Sequence, residues 1–591
     1  SWAMRDRLLT RHFLQRFLDH DLISPHADRH EVLAITCAMI VVSSLFLSFF
    51  LSLKYQFNVF LPPGLTSTLA LDDRFFLASL AMIVMALVAV AEWDALVLDA
   101  RDTAVLGPLP IDRWTIVRAK FVAVILLAAG FDAALALGPT VLRAWALPVK
   151  LPVTMIGALE LTLAQAACSL ASGAFGFVAV LAIRETIRAL IGPAAFNRMS
   201  AALQAALGII LTTMLLLLPR SAGSVAATWL SHGRVPPAVV PPLWFVGLHE
   251  TVVGGVVDGL PRSTPLPRYV AAERTATHLY QAVRPLFPRL AEISVIAMML
   301  VFAAAIVASL WNNRRLPAET FRKAAFLSGM RRAVGRGAAA TIVRHPAAQA
   351  GFSFTLQSLA RSVPHRATMG VVVAVAVSLV VITSGAVDTS RVHGIAAAPL
   401  SALTLQTLIL AVALTAFRHI VRVPAELRAN WTFHLAWSGD ERPFLAGVKR
   451  AALTVIVAPT LAILFLYGAF AFGPRFALGH LVAGVLLSWI LIDLLFIGYR
   501  KLPFASSYIR SEDLKSVGPL YVLAALTGTV WFAEAERAAF GSVTSAVLFF
   551  GALVALGSAA HALDASRRRL RLPIDLDERP AGSTQPLELI R

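Results

Sequence analysis

Residues 92–120 read EWDALVLDARDTAVLGPLPIDRWTIVRAK, a polar stretch between the apolar runs 75–91 and 121–142. At about 1.5 Å per helical residue, each run is long enough to cross a hydrocarbon core of about 30 Å. The stretch between them therefore reads as a short loop joining two membrane helices. Inside it Asp99, Arg101 and Asp102 precede a Gly107-Pro108-Leu109-Pro110 break, and Asp112 stands where an N-cap carboxylate opens the next helix. A related stretch returns at 425–456 as AELRANWTFHLAWSGDERPFLAGVKRAALTVI, in which Glu441, Arg442 and Lys449 fall 329 residues after Asp112, Arg113 and Lys120. One short polar element, held between two spans, occurs twice.

The rest of the composition agrees with a membrane setting. A chain of 591 residues that is 58% hydrophobic and 15% charged, with a mean hydropathy of +0.73, is not a soluble globular protein. Its net charge of +18 does not point to nucleic acid, because the basic residues sit between hydrophobic runs. Cys37 and Cys168 both lie within apolar runs, which argues for packing residues and against a disulfide framework or a metal cluster. Ser1-Trp2-Ala3 ahead of Met4 read as an addition before the natural start, and the next segment is too basic and interrupted for a secretory signal.

In chain order, 4–31 reads as an N-terminal interfacial segment, with Leu8, Leu9, Phe13, Phe17 and Leu18 on one face of a helix and Arg5, Arg7, Arg11 and Arg16 elsewhere. Twelve spans follow, near 32–53, 75–98, 121–142, 153–182, 199–218, 291–311, 368–387, 397–417, 451–470, 479–498, 517–532 and 543–562. None of these windows contains Lys or Arg. With the N-terminus inside, the cytoplasmic segments hold 38 Lys and Arg and the outside segments 14, so both ends are expected in the cytoplasm. The fold class expected is an all-α polytopic membrane protein. It divides into a first half at 32–311, a basic cytoplasmic linker at 312–367, a second half at 368–562 and a cytoplasmic tail at 563–591. Six spans per half make the repeat parallel, with a pseudo-symmetry axis along the membrane normal.

The long outside segment, 219–290, carries PPLWFVGLHE, where Trp244 and Phe245 after the Pro241-Pro242 pair suit either an interfacial or re-entrant piece or an ordinary lid over the bundle. Its His232, His249, Glu250, Asp258 and His278 read as solvated loop residues, since His249-Glu250 lacks the second histidine of a zinc-protease motif. Within spans, Asp132, Glu160 and Asp493 are carboxylates that cost about 2.5 to 3.5 kcal/mol each on insertion scales. They must be paired, protonated or facing a cavity, and a polar substrate path or a proton site is the functional reading. Glu92 and Asp94 read as interfacial.

The interfacial N-terminal helix, the acidic and basic loop LDARDTAVLGPLPIDRWTIVRAK after span two, PPLWFVGLHE between spans five and six and the later KLPFASSYIR together resemble the ABC-2 (type V) exporter permeases. Members of that family are usually single six-span units that dimerise, whereas this chain carries two halves. The resemblance implies that Asp99, Arg101, Asp102, Asp112 and Arg113 are docking residues of the first half. Glu426, Arg428, Asp440, Glu441 and Arg442 would be those of the second. It implies a permease that moves a lipid-like, glycan or drug-like substrate out of the cytoplasm across a bacterial inner membrane. The expected partners are two copies of a soluble ATPase that holds the ATP and Mg, the membrane lipid, and additional membrane or periplasmic subunits, with no nucleic acid.

No phosphate-binding GxxxxGK[ST] loop occurs, so the motor is expected on another polypeptide, and no catalytic residue, cofactor site or metal site is expected on this one. The competing reading is a secondary transporter of the major facilitator kind, which shares twelve spans, parallel halves and a basic central loop. A membrane-embedded enzyme or a scaffold is a further alternative.

Overall fold

The computed structural model describes residues 2–17, 29–57, 63–93, 112–143, 155–221, 237–258, 270–315, 343–384, 400–423, 442–497, 499, 502–504 and 527–569. Helices and their short junctions make up these residues, and no strand occurs among them. Among the described residues nine helices are long and apolar enough to cross a membrane, and two shorter apolar helices, Cys37–Leu53 and Thr368–Ile382, join them. The protein is a helical multi-pass membrane protein. In lipid, backbone polar groups must be satisfied within the segment, which is why apolar runs of this length fold as helices.

The chain packs as two compact units, Ser1–Arg322 and Lys323–Arg591. The first holds α1 (Trp2–Phe17), α2 (Arg29–Phe57), α3 (Pro63–Ala91), α4 (Arg113–Gly138, continued by a π turn Pro139–Arg143), α5 (Met155–Ile191), α6 (Pro193–Ser221), α7 (Pro241–Asp258), α8 (Val270–Val283) and α9 (Phe287–Arg315). Its centre is α5, which runs beside α3, α7 and α9, while α2 packs along α4. Small residues bring these helices close. A Cβ at Gly176 of α5 would collide with the Met82 carbonyl of α3, and one at Gly138 with the backbone of Ser44. Gly192, at φ 79°, makes the tight junction between α5 and α6.

The second unit holds α10 (Pro346–Arg361), α11 (Val363–Ser384), α12 (Leu400–Arg422), α13 (Arg442–Ala452, followed by a π turn Leu453–Val457), α14 (Ala458–Phe472), α15 (Pro474–Phe496), a helix α16 over 527–539, and α17 (Val543–Arg569). Here α15 packs on α12, α14 and α17. Gly473, at φ 98°, turns the chain between α14 and α15.

Several sequence expectations change. Eleven of the twelve expected spans coincide with these long or shorter apolar helices, while most of 517–532 lies outside the described residues. The helices outrun the apolar windows and do contain basic residues: Arg74 lies in α3, Lys120 in α4, Arg184 in α5 and Lys449 in α13. Hydropathy ends a window at a charge, whereas a helix continues through a charge that finds a partner. The linker 312–367 is not featureless, since it contains the end of α9, all of α10 and the start of α11. Within 4–31 the described residues form α1 and the start of α2 at Arg29, and Leu8 faces outward while Leu9 and Phe13 are buried. Asp112 precedes α4 with extended backbone, in the expected N-cap position, but its side chain makes no capping hydrogen bond.

Candidate functional site

In each unit a polar stretch outside the described residues, 94–111 or 424–441, separates two helices. The end of the unit from which this stretch departs is the loop end, and the opposite end is the far end. At the loop end of the first unit, α1 packs against the start of α4. Lys120, buried on α4, sits over the Phe13 ring at 5.4 Å from its centroid. Trp93, the last described residue before the loop, is fully buried and donates from Nε1 to Ser200 Oγ at 2.8 Å. Its ring stacks on Phe196, and the Arg184 guanidinium lies 5.5 Å from its centroid. Arg184 pairs with Glu185, which also accepts from Asn312 Nδ2 at 2.7 Å, so α5 is tied to the end of α9. The position from which the first loop departs is thus set by aromatic burial and a neutralised charge pair.

The second unit repeats the arrangement with different chemistry. α10 packs against α13 through two glycines, so closely that a Cβ at Gly351 would meet the Phe444 carbonyl and one at Gly447 the Ala348 carbonyl. α13 is amphipathic because Phe444, Leu445, Val448, Ala451 and Ala452 are buried while Arg442 and Arg450 are exposed. Lys449 Nζ donates to Asp493 Oδ1 at 2.7 Å and to Asp564 Oδ2 at 2.8 Å, joining α13 to α15 and α17. His561 Nδ1 stands 3.0 Å from the other oxygen of Asp493.

The start of the second loop is fixed by Phe504, a buried residue at φ 62° in the left-handed region that non-glycine residues avoid. Its N–H donates to Val421 O at 2.8 Å, and its ring meets Phe354 and His365. His365 Nε2 lies 3.1 Å from Val423 O. Burial pushes the His365 imidazole below its ordinary pKa, and the Val423 carbonyl opposes this.

At the far end of the first unit, Arg74 on α3 pairs with Glu250 on α7, and Tyr280 on α8 donates to the other carboxylate oxygen at 2.9 Å. His249 Nδ1 is 3.6 Å from Glu250. His249 and Glu250 are buried, contrary to their reading as solvated loop residues, whereas His278 is exposed. The Pro241-Pro242 start turns α7 back among α3, α5 and α9, and this is what buries the pair. At the far end of the second unit, His480 Nδ1 on α15 lies 2.6 Å from Glu536 Oε1 on α16, and Gln406 of α12 donates to the His480 carbonyl at 2.7 Å.

The expected site residues separate accordingly. Asp99, Arg101, Asp102, Glu426, Arg428, Asp440 and Glu441 lie outside the described residues, as do Asp94 and His232. Asp112 and Arg442 are exposed at the mouths of the two loops, and Arg113 opens α4. Phe245 is buried, and Trp244 is half-buried with Nε1 donating to Ala238 O at 3.2 Å; both rings meet Phe175 of α5. The three intramembrane carboxylates stand in different surroundings. Glu160 is exposed on the outer face of α5, Asp493 is held by Lys449, and Asp132 is buried on α4 against Gly173 of α5. Arg74, Trp93, Phe504 and α10 were not singled out from the sequence; the paired glycines Gly351 and Gly447 were the one available sign of the α10 contact.

A scan against protein-family models finds none that matches the chain, and searches of curated proteins and of solved structures return no match either.

Proposed function

We propose that the protein is the membrane permease of an ATP-driven exporter, of the ABC-2 kind, in which both halves of the transport bundle lie on one chain. One observation carries this reading. Each polar loop leaves from a platform made by an amphipathic helix, α1 or α10, packed on the helix that follows the loop, α4 or α13. A loop whose two roots are held this firmly can transmit a push from a soluble subunit into the bundle, whereas a loop on slack roots would absorb it. In the second unit the path inward is explicit, since α13 grips α15 and α17 through Lys449, Asp493 and Asp564.

On this reading twelve spans run with both termini in the cytoplasm of a bacterial inner membrane, and the two loops face a pair of ATPase subunits that bind ATP and Mg. Asp99, Arg101, Asp102, Asp112 and Arg113, with Glu426, Arg428, Asp440, Glu441 and Arg442, form the docking surfaces. Trp244 and Phe245 line the outside closure, and the cargo is lipid-like, glycan or drug-like.

The test is co-purification of the tagged protein from its native membrane with a phosphate-loop ATPase. Charge reversal at Arg101, Arg113, Arg428 and Arg442 should abolish ATPase recovery while the protein still inserts, because an interfacial charge left unpaired costs about 2 to 5 kcal/mol. Native mass spectrometry should give one permease chain to two ATPases. Undiminished, fully stimulated ATPase with the quadruple variant would overturn the reading.

A further inference from the structure

Asp132 is the one carboxylate whose surroundings differ in kind from every buried acid described above. Glu185, Glu250, Asp493 and Glu536 each face a basic side chain. Asp132 is 5% exposed, and among the described residues it has no ion-pair partner and its Oδ1 has no hydrogen-bond partner. Gly173 leaves the carboxyl its space, because a Cβ there would collide with Oδ1.

The second unit contains the control. At the same 329-residue offset that relates the polar loops, the position of Asp132 is occupied by Leu461. Leu461 is buried on α14 and packs against Gly484 of α15, as Asp132 of α4 packs against Gly173 of α5. A comparable contact, with its glycine 311 rather than 329 residues on and shared with the Gln406 amide, is made there with leucine. Packing on a glycine does not by itself call for a carboxyl, and in hydrocarbon the carboxyl is the costlier choice.

We propose that Asp132 is a proton-exchanging site inside the membrane-spanning bundle of the first unit. The ligand is a proton, which a lone carboxyl oxygen can take by itself. Among the described residues no group of three or more His, Cys, Asp or Glu is arranged to hold a metal, and a metal cation needs several oxygen ligands. One turn along the same face of α4, Leu135, Ala136 and Pro139 border a cavity of about 20 Å³ that Ser44 and Ser169 also line. That volume holds one water, one turn from Asp132. On protonation the Oδ1–H bond forms as an O–H bond of hydronium breaks and leaves water, and deprotonation reverses both changes.

The charged groups on the helices packed against α4 lie mostly toward the helix ends. α2 carries Arg29, His30 and Glu31 at one end, Cys37 within it and Lys54 and Tyr55 at the other, and α3 carries Asp72, Asp73 and Arg74, the last engaged by Glu250 at the far end. α5 carries Cys168 at mid-helix, with Glu160 exposed near one end and the Arg184–Glu185 pair and Arg188 near the other. α1 meets α4 only at the loop end, around Lys120.

The test is infrared difference spectroscopy on the full chain in lipid nanodiscs, titrated between about pH 5 and pH 10. The expected result is a carbonyl stretch of an unhydrated carboxylic acid that disappears as the pH rises, is absent in Asp132→Asn and is shifted in Asp132→Glu. A band that persists unchanged across the range would mean a permanently protonated structural carboxyl and would overturn the proposal. So would the absence of any band assignable to Asp132 at the acid end. If Asp132→Asn does not fold, the Asp132→Glu shift still assigns the band. Asp132→Leu should melt no lower than the wild type, as the Leu461 crossing requires, and a large loss of stability would overturn the claim that packing does not need the acid. No ATPase is involved in these readouts, so the proton site and the exporter reading fail separately.

Discussion

The far ends of the two units solve one problem with two different basic side chains. In the first, Glu250 on α7 is neutralised by Arg74 and steadied by Tyr280; in the second, Glu536 on α16 is met by His480. Both carboxylates are buried on a helix that precedes the last long helix of its unit. Both oxygens of Glu250 have partners, whereas among the described residues Oε2 of Glu536 has none. The first closure is therefore tied more fully than the second. The units also differ deeper in the bundle, where the first has Asp132 and the second Leu461.

The comparison breaks most visibly at Arg74. Arg74→Met should cost about 3 to 5 kcal/mol, because it leaves a buried carboxylate without its cation. Thermal unfolding of the purified protein in detergent would show the loss, and Arg74→Met combined with Glu250→Leu should recover much of it. His480→Phe should cost less than Arg74→Met, and equal losses would erase the distinction drawn between the two ends.

At the loop end of the second unit, Lys449→Met should cost about 2 to 3 kcal/mol, since it leaves Asp493 and Asp564 facing each other with only His561 beside them. This loss should be smaller than that of Arg74→Met because Lys449 is the more exposed cation, at 15% against 6% for its side chain. Unfolding curves of the two variants measured together decide the order.

The α10–α13 seam tests whether the two platforms are built alike. Gly447→Ala should cost about 1 to 3 kcal/mol through overpacking against the Ala348 carbonyl. The α1–α4 seam rests instead on Lys120 over Phe13, so Phe13→Leu should be milder. A protease-resistance assay on both variants separates them.

The smallest effect concerns His365, which precedes the apolar stretch of α11 and whose counterpart at the 329-residue offset is Thr36. Its pKa is lowered in the folded protein by burial, so folding favours the neutral ring. The stability this provides is complete above about pH 6.5, the ordinary value, and is lost as the pH falls through the depressed folded value. Acidification from about pH 7 to pH 5 should therefore lower the melting temperature, and His365→Gln should flatten part of that slope. An unchanged slope would remove His365 from the acid-sensitive groups.

The sequence alone determined the membrane setting, the helical class and the recurrence of a polar loop, because hydropathy and helix length are local properties that a run of about 20 residues already carries. It also located Asp132, since an acid in an apolar run is visible without any fold. Tertiary structure decided which charges are neutralised. Arg74 and Glu250 are 176 residues apart, and Lys449 and Asp564 115 apart, so no local pattern announces either pair. It also decided where the helices end, because a charge with a distant partner stays in the helix while hydropathy counts it as a boundary. For the same reason Glu250 read as a loop residue: its burial depends on α7 turning back into the bundle, which only packing against α3, α5 and α9 brings about. Asp132 and Leu461 stand at the same offset in the sequence, and only the packing shows that each meets a glycine of a neighbouring helix, Gly173 or Gly484.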